Sequence, residues 1–299
     1  MVKTVAILTP AYNRADRLSI LFSSLNNQIS KDFKWYIIDD GSKDNTKEVV
    51  ESFQPNGFEI EYLFKPNGGK HTALNVGVER IEEELTFIVD SDDYLTEDAV
   101  STIVADWQEY KNTGIVGISY YRINAEGRVI GDRYPIEPLV IDTFVNMRIN
   151  QNVMGDKAEV YLTSTLKNYP FPVYDGERFL SEAIVWNAIS NGGGKLAFIA
   201  KGIYVCEYLE GGLTMAGKKK MADNPLGYLE HCRAYMYPCV KSKIKWKYTL
   251  LYVVCAILAK RKYREKLKKT FQACPCKGKY IFTFPFGVAL YLLWGKKFN

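Results

Sequence analysis

The sequence predicts an α/β fold, with a mixed but mostly parallel sheet that is flanked by helices. Short runs rich in β-branched and aromatic residues alternate with segments of helical periodicity through the first hundred residues. Such alternation is typical of parallel strands that are connected by covering helices. The 299 residues are 47% hydrophobic and 24% charged, which fits a folded protein of one large domain or two and argues against disorder.

The first third of the chain supplies most elements of this sheet. Strands are predicted at residues 4–9, 34–40, 58–64 and 85–90. Helices are predicted near residues 15–28, from Asn45 or Thr46 onward, and within residues 68–84 and 96–110. Leu18, Leu21 and Leu25 would share one face of the first helix, because residues three or four apart lie on the same side.

The pattern becomes mixed after residue 121. The predicted elements are a strand pair within residues 114–131 with a turn at 125–127, a helix around 141–148, a short strand from about 159, a helix at about 180–189 and a hairpin-like strand pair within 195–209. We predict one domain at residues 1–217, with halves at 1–100 and 101–217. A basic, aromatic and amphipathic helical region would follow at 218–299.

Two acidic clusters stand where predicted strands end. Asp39 and Asp40 end one strand, and Asp90, Asp92 and Asp93 follow another. Because the carboxyl ends of parallel strands form one edge where ligands bind, both clusters should face the same edge. Like charges so close together need a counter-ion, and a bound cation would supply it. Capping of the next helix would explain one carboxylate but not three.

Four segments occur in a specific order: "TPAYNR" (residues 9–14), "IIDDGSKDNT" (37–46), "NGGKHTALNVG" (67–77) and "VDSDD" (89–93). Together they resemble family 2 glycosyltransferases, strongly over the first hundred residues and more loosely over 170–215. The resemblance implies the GT-A (Rossmann-like) fold and a nucleotide-diphosphate sugar donor, with a UDP-sugar favoured. It assigns the half at 1–100 to the donor and the half at 101–217 to the acceptor.

The resemblance makes Asp90-Ser91-Asp92 the DXD motif, whose carboxylates hold Mn²⁺ or Mg²⁺ against the diphosphate. Hard cations prefer oxygen ligands and often take one or two carboxylates plus substrate phosphates, which this spacing supplies. Asp92 is the first expected metal ligand and Asp90 the second, with Asp90 nearer the ribose.

The resemblance also outlines the donor site. Tyr12 would stack on the nucleotide base, Asp39 would contact the uracil or ribose, and Lys70 lies beside paired glycines at a helix start, where amides and a cation suit phosphate. The predicted nucleotide-sugar site consists of Pro10, Ala11, Tyr12, Asn13, Asp39, Asp40, Lys70, Asp90 and Ser91.

An inverting transferase needs a base for the proton of the acceptor hydroxyl, and a carboxylate is the usual group. The family pattern often reads Glu-Asp near residue 182, with the aspartate as base, whereas this chain has Ala183 in the second position. Glu182 is therefore the predicted base, with Asp175 and Glu177 as reserves. A loop at 207–214 leading to Lys218, Lys219 and Lys220 is expected to close over the diphosphate or to stay solvated.

Charge is distributed unevenly along the chain. Residues 1–240 contain 24 Lys/Arg and 33 Asp/Glu, whereas residues 241–299 contain 15 and one. The apolar runs at 248–259 and 280–294 are shorter than the roughly 20 residues of a spanning helix. Basic and aromatic residues around them indicate helices in the interface of an anionic membrane, rather than nucleic-acid binding. The alternative is a helical subdomain that packs on the body or on a second subunit of a homodimer.

All six cysteines lie in the last third, and the N-terminal residues resemble no secretory signal, so we expect reduced thiols in a cytoplasmic protein bound peripherally to the cytoplasmic face of the membrane. The predicted activity is inverting transfer of a sugar to a hydroxyl of a glycan or polyprenyl-linked acceptor in cell-surface polysaccharide synthesis. The alternatives are a nucleotide-sugar-binding scaffold without turnover, which the alanine at residue 183 favours, and a sugar nucleotidyltransferase.

Overall fold

The computed structural model describes residues 3–135, 137–206, 217–295 and 298. The chain forms two compact units, Met1–Pro170 with Gly193–Glu207, and Phe171–Gly192 with Tyr208–Asn299. This division differs from the predicted boundary at residue 217, because residues 171–192 group with the C-terminal helices. The predicted loop at 207–214 lies outside the described residues.

The first unit is built on a mixed sheet. Its described strands are β1 (Val5–Ala11), β2 (Phe33–Asp39), β3 (Glu59–Phe64), β4 (Leu85–Ile88), β5 (Tyr94–Leu95), β6 (Gly117–Ile123), β7 (Leu139–Asp142), β8 (Lys157–Leu162) and β9 (Leu196–Val205). Their order is β3-β2-β1-β4-β8-β6-β9-β5, with β7 also pairing with β9. β1 to β4, β6 and β9 run in one direction, so most of these strands are parallel and the predicted fold class is confirmed.

Helices accompany the sheet and form most of the second unit. The first unit contains α1 (Leu18–Asn26), α2 (Thr46–Glu51), α3 (Lys70–Arg80), α4 (Ala99–Tyr110) and α5 (Thr163–Asn168). The second contains α6 (Ala183–Asn191), α7 (Gly217–Asp223), α8 (Pro225–Ala234), α9 (Ser242–Tyr263), α10 (Leu267–Ala273) and α11 (Lys277–Trp294). No described helix combines the length and the apolar composition needed to cross a membrane.

The core follows from the apolar pattern of these elements. All seven residues of β1 are buried, as expected for a parallel strand covered on both faces. Leu18, Leu21 and Leu25 of α1 are buried as predicted. On the same side of the sheet, Phe22 stacks on Phe53 with ring centroids 4.1 Å apart. The core therefore fixes the strands whose ends carry the acidic clusters.

Two predicted elements after residue 113 are confirmed only in part, and a third is wrong. The segment 114–131 contains strand β6, a turn at 124–127 and an antiparallel return that is reduced to one bridge between Ile123 and Val129, so the second strand of the predicted pair is not formed in full. The expected hairpin at 195–209 is instead the continuous strand β9, in which Gly202 permits close packing, since a Cβ there would lie 2.5 Å from Ile123. Residues 139–142 form a strand that pairs with β9, and the helix predicted around 141–148 is instead a π-helical segment at 145–150.

Hydrogen bonds explain why residues 171–192 belong to the second unit. The buried carboxylate of Glu177 accepts the amide N–H groups of Leu226 and Gly227, at 2.8 and 2.7 Å, in the first turn of α8. Tyr174 donates its hydroxyl to Glu230 of the same helix at 2.5 Å. These contacts cap α8 and tie the predicted proline-rich connection to it.

Close packing of α3 against the sheet generates a test of the fold. A Cβ on Gly77 would lie 2.3 Å from Leu8 and 3.1 Å from Ile38. We expect Gly77→Ala to destabilise the protein by about 1–3 kcal/mol, because β1 and β2 are fixed on both sides. Urea unfolding measures this difference. Glu79→Ala, at an exposed site on the same helix, is the control; equal stability of the two variants would contradict the packing argument.

Candidate active site

The carboxyl ends of five parallel strands form the candidate site. β1, β2 and β4 end at the predicted motifs, and β6 and β9 end at Arg122–Ile123 and Tyr204–Val205 along the same edge of the sheet. The two predicted acidic clusters therefore share that edge with a cation and a phenol. In α/β sheets this edge is where ligands bind.

Asp90 is held by two cations. Lys70, the first residue of α3, forms an ion pair with one carboxylate oxygen, and Arg122 lies 3.5 Å from the other. Burial opposes ionisation, but the charges of Lys70 and Arg122 outweigh it and lower the pKa of Asp90 to about 2. Lys70, which is predicted to contact the diphosphate, therefore already forms an ion pair with Asp90 before a donor binds.

Asp93 belongs to the same cluster. Its carboxylate accepts the hydroxyl of Tyr204 at 2.7 Å and lies 3.6 Å from Arg122. Burial and the neighbouring charge of Asp90 raise the pKa of Asp93 to about 7, despite these partners. Asp93 thus serves the internal network and is a poor metal ligand at low pH.

Arg122 and Tyr204 are the site residues that sequence reasoning missed. The guanidinium lies over the phenol ring, 4.1 Å from its centroid, and the Tyr204 oxygen accepts the backbone N–H of Asp90 at 2.9 Å. Burial opposes the charge of Arg122, but Tyr204 and the two aspartates raise its pKa well above the usual value. A lone arginine at the end of a predicted strand was the available signal. That signal does not place Arg122 in the site unless β6 is known to run parallel to β4, so that both strands end at the same edge.

Asp92 differs from its neighbours because its side chain is 35% exposed and its ion-pair partner, Arg14, lies 3.8 Å away. The described residues contain no cluster of three or more His, Cys, Asp or Glu side chains able to hold a metal by themselves. One loosely held carboxylate with a second nearby nevertheless fits a Mn²⁺ or Mg²⁺ ion that takes its remaining ligands from a diphosphate and water. Asp92 would be the first of these ligands and Asp90 the second.

The β1 and β2 ends form the other half of the site. Asp39 is buried, and its two oxygens accept the backbone N–H of Ser42 at 2.7 Å and the hydroxyl of Tyr62 at 2.6 Å. Asn13, with a positive φ of 51°, donates its N–H to Ser42 and accepts the N–H of Lys43. These bonds fix the turn after β1.

Tyr12 precedes that turn and is 41% exposed, so its ring is accessible to a planar ligand, whereas Pro10 and Ala11 are buried strand residues. Ser91 is buried within the acidic turn. The structure thus brings the predicted donor residues to one edge, but only some of them present side chains to solvent.

Asp40 organises the loop before α3. Its carboxylate accepts Lys65 at 2.6 Å and the amides of Gly68 and Gly69 at 2.9 and 2.7 Å. Gly69 has a φ of 94°, which favours glycine and aims α3 so that Lys70 reaches Asp90. Asp40 therefore holds the loop through internal contacts.

The three predicted base candidates all lie in the second unit, in different surroundings. Glu182 precedes α6 and is half-buried, Asp175 is exposed, and Glu177 is the buried cap of α8. Burial raises the pKa of Glu177, against the lowering effect of the two amides. A carboxylate occupied by a helix terminus is poorly suited to accept a substrate proton, so Glu177 is the weakest of the three candidates.

Removal of Arg122 tests the network. We expect Arg122→Met to lower the free energy of unfolding by about 3 kcal/mol at about pH 8, because the buried Asp93 and the half-buried Asp90 lose their shared counter-ion. The loss should shrink toward about pH 5, since Asp93 then binds a proton and fewer buried charges depend on the arginine. Urea unfolding at both pH values measures it, with exposed Arg128→Met as the control. A loss that does not depend on pH would contradict the electrostatic account.

Comparisons with known proteins agree with this geometry. The profile described as "Glycosyl transferase family 2" matches residues 6–159. "Hyaluronan synthase" of Pasteurella multocida is 34% identical over 133 residues, which is 44% of this chain but 14% of that protein. A Campylobacter jejuni protein, "GalNAc(5)-diNAcBac-PP-undecaprenol beta-1,3-glucosyltransferase", is 26% identical over 281 residues, covering 90% of this chain and 85% of that protein. The chain therefore spans a small part of the synthase and most of the glucosyltransferase.

Solved structures show the same fold. Staphylococcus aureus TarS 1–349 in complex with UDP has a TM-score of 0.63 at 18% identity, covering 96% of this chain and 82% of that one. The mannosyltransferase PcManGT from Pyrobaculum calidifontis, solved with GDP-Man and Mn²⁺, has a TM-score of 0.53 at 15% identity, covering 99% of this chain and 88% of that one. Since the family profile covers just over half of the chain, and the fold and the acidic edge agree with it, this protein belongs to glycosyl transferase family 2.

Proposed function

We propose that the protein transfers a sugar from a nucleotide-diphosphate sugar, favouring a UDP-sugar, to a hydroxyl of a glycan or lipid-linked acceptor, with inversion at the anomeric carbon. The observation that carries the proposal is the convergence of Tyr12, Asp39 and the "DSDD" turn on one edge of the sheet. The crystal structures of TarS 1–349 in complex with UDP and with UDP-GlcNAc support the donor class. The name of the C. jejuni relative supports a lipid-linked acceptor.

The proposed reaction is a nucleophilic displacement at the anomeric carbon of the donor sugar. The acceptor oxygen forms a bond to the anomeric carbon, the bond from that carbon to the diphosphate breaks, and the nucleoside diphosphate leaves with the electron pair. A carboxylate takes the hydroxyl proton, and Glu182 is the proposed base, with Asp175 in reserve. Mn²⁺ or Mg²⁺, when bound, would neutralise the charge that develops on the diphosphate.

The chain's own residues prepare this site. Lys70 and Arg122 keep Asp90 ionised, and Tyr204 fixes the turn by accepting the Asp90 amide. Among the three aspartates of the turn, Asp92 is the one that combines solvent exposure with a distant ion-pair partner. Because the cluster already contains cations close to its carboxylates, we propose that a metal binds tightly only together with the donor diphosphate.

Two alternatives make different products or none. A sugar nucleotidyltransferase attacks phosphorus and releases pyrophosphate, whereas the proposed transferase releases nucleoside diphosphate. A scaffold would bind the donor without turnover on any acceptor. The alanine at residue 183, where the family often has an aspartate, is the sequence feature that favours the scaffold.

The C-terminal region completes the proposal. Its 15 basic residues against one acidic residue between 241 and 299 suit an anionic membrane surface. We therefore propose a peripheral location on the cytoplasmic face of the membrane, where a polyprenyl-linked acceptor would be presented. A homodimer stays a second possibility for the same surface.

Calorimetry tests the donor and metal sites. UDP should bind the intact protein in the presence of Mn²⁺, and Mn²⁺ alone should bind much more weakly than with UDP. Asp92→Asn should weaken this binding by about tenfold or more, because one charged ligand is lost. Titration of GDP, CDP and dTDP identifies the base preference, and the exposed Glu97→Gln is the matched control. Unchanged metal-dependent binding in Asp92→Asn would refute the assignment.

The base assignment has its own test. Glu182→Gln should lower kcat by about 10² to 10⁴-fold while the Kd for UDP stays unchanged, because the glutamine cannot take the proton. Asp175→Asn should leave kcat nearly unchanged. Release of UDP in the presence of an acceptor glycan measures both. Full activity of Glu182→Gln together with inactivity of Asp175→Asn would transfer the role to Asp175.

A further inference from the structure

The outer face of α11 is apolar along most of its length. Between residues 281 and 293 every exposed side chain is apolar: Ile281, Phe282, Pro285, Phe286, Ala289, Leu292 and Leu293. At 3.6 residues per turn they fall within one arc of about 140°, which extends roughly 20 Å along the axis. We call these seven residues the α11 outer face. A contiguous apolar surface of this kind marks an interaction site.

The opposite side of α11 is already packed. Tyr280, Thr283 and Gly287 are buried, and a Cβ on Gly287 would lie 2.6 Å from Val253 of α9. Tyr280 also packs edge-on against Tyr252, with ring centroids 6.0 Å apart. The helix is therefore held lengthwise along α9, and the α11 outer face is the side that it offers to a partner.

Aromatic and basic side chains border this face. Trp246 of α9 packs edge-on against Phe282 at 5.3 Å, and Lys279 lies 4.6 Å above the Trp246 ring. Phe282 in turn stacks on Phe286 at 5.9 Å. Indole rings and lysines beside an exposed apolar strip are the composition of helices that lie in a lipid interface.

The charge of the region selects the partner. Residues 241–299 carry 15 basic residues and one acidic residue, so two copies meeting through this face would bring like charges together. An anionic bilayer supplies the opposite charge and an apolar layer at once. We infer that the α11 outer face inserts into the headgroup–acyl boundary of an anionic bilayer, with the axis of α11 in the membrane plane and Trp246 and Lys279 at the headgroups.

This inference rests on the membrane partner of the proposed function and identifies the surface that makes the contact. It is tested by sedimentation with vesicles of phosphatidylcholine alone and of phosphatidylcholine with phosphatidylglycerol. The intact protein should bind only the anionic vesicles and should keep part of that binding in high salt, because inserted apolar surface is not screened.

The decisive variant is Phe286→Ser/Leu293→Ser, whose native side chains are 58% and 79% exposed. It should bind anionic vesicles about tenfold less well or weaker, and the salt-resistant part should disappear. The matched control is Phe64→Ser/Ile29→Ser, in the first unit, whose native side chains are 58% and 72% exposed; it should bind like the intact protein. Circular dichroism shows whether both variants are folded.

Three other results would contradict the inference, and each identifies a different part of it as wrong. If both variants bind vesicles like the intact protein, the α11 outer face is not the contact. If the α11 variant changes only the mass in analytical ultracentrifugation, the face joins two copies of the chain and the inference is overturned. If the intact protein binds no vesicle but binds UDP with Mn²⁺, the membrane partner fails while the transferase proposal stands.

Discussion

The contact of one guanidinium with two carboxylates controls the rest of the site. Arg122 lies within 3.6 Å of both Asp90 and Asp93 and over the ring of Tyr204, so three strand ends are joined by one charge. Without it, the turn after β4 would hold three like charges within four residues at a largely buried edge. The arginine thereby stabilises the acidic turn before any ligand binds. The stability of the folded site therefore does not depend on a bound metal or donor.

The same contact gives the three aspartates of the turn different ionisation and exposure, although their side chains are chemically identical. Asp90 stays ionised at nearly all pH values, Asp93 gains a proton near neutrality, and Asp92 stays in solvent contact with a distant partner. The spacing of residues in the motif cannot produce this division, since all three are aspartates in one turn. It arises from which neighbour each carboxylate faces, namely lysine and arginine, a buried phenol, or water.

Most of the parallel half of the sheet could be predicted from sequence, because β1, β2 and β4 are largely apolar runs that end in polar motifs. The edge was also predictable for β2 and β4, since parallel strands present their ends together. Arg122 and Tyr204 could not be found this way. Their strands were read as halves of local hairpins, yet β6 and β9 pair with each other in parallel across more than seventy residues of sequence, and local patterns carry no information about such pairing.

The second unit shows a similar limit for carboxylates. Glu177 and Glu182 look equivalent in the sequence, but the carboxylate of Glu177 accepts two amide N–H groups of α8. This contact also joins residues 171–192 to the second unit rather than to the predicted first domain. A helix terminus needs acceptors or donors wherever it is buried, and the chain supplies one here from nearly fifty residues away. A carboxylate that caps a helix cannot be exchanged for a proton acceptor without loosening that helix. The physical competition between capping and catalysis therefore argues against Glu177 as the group that takes the acceptor's proton.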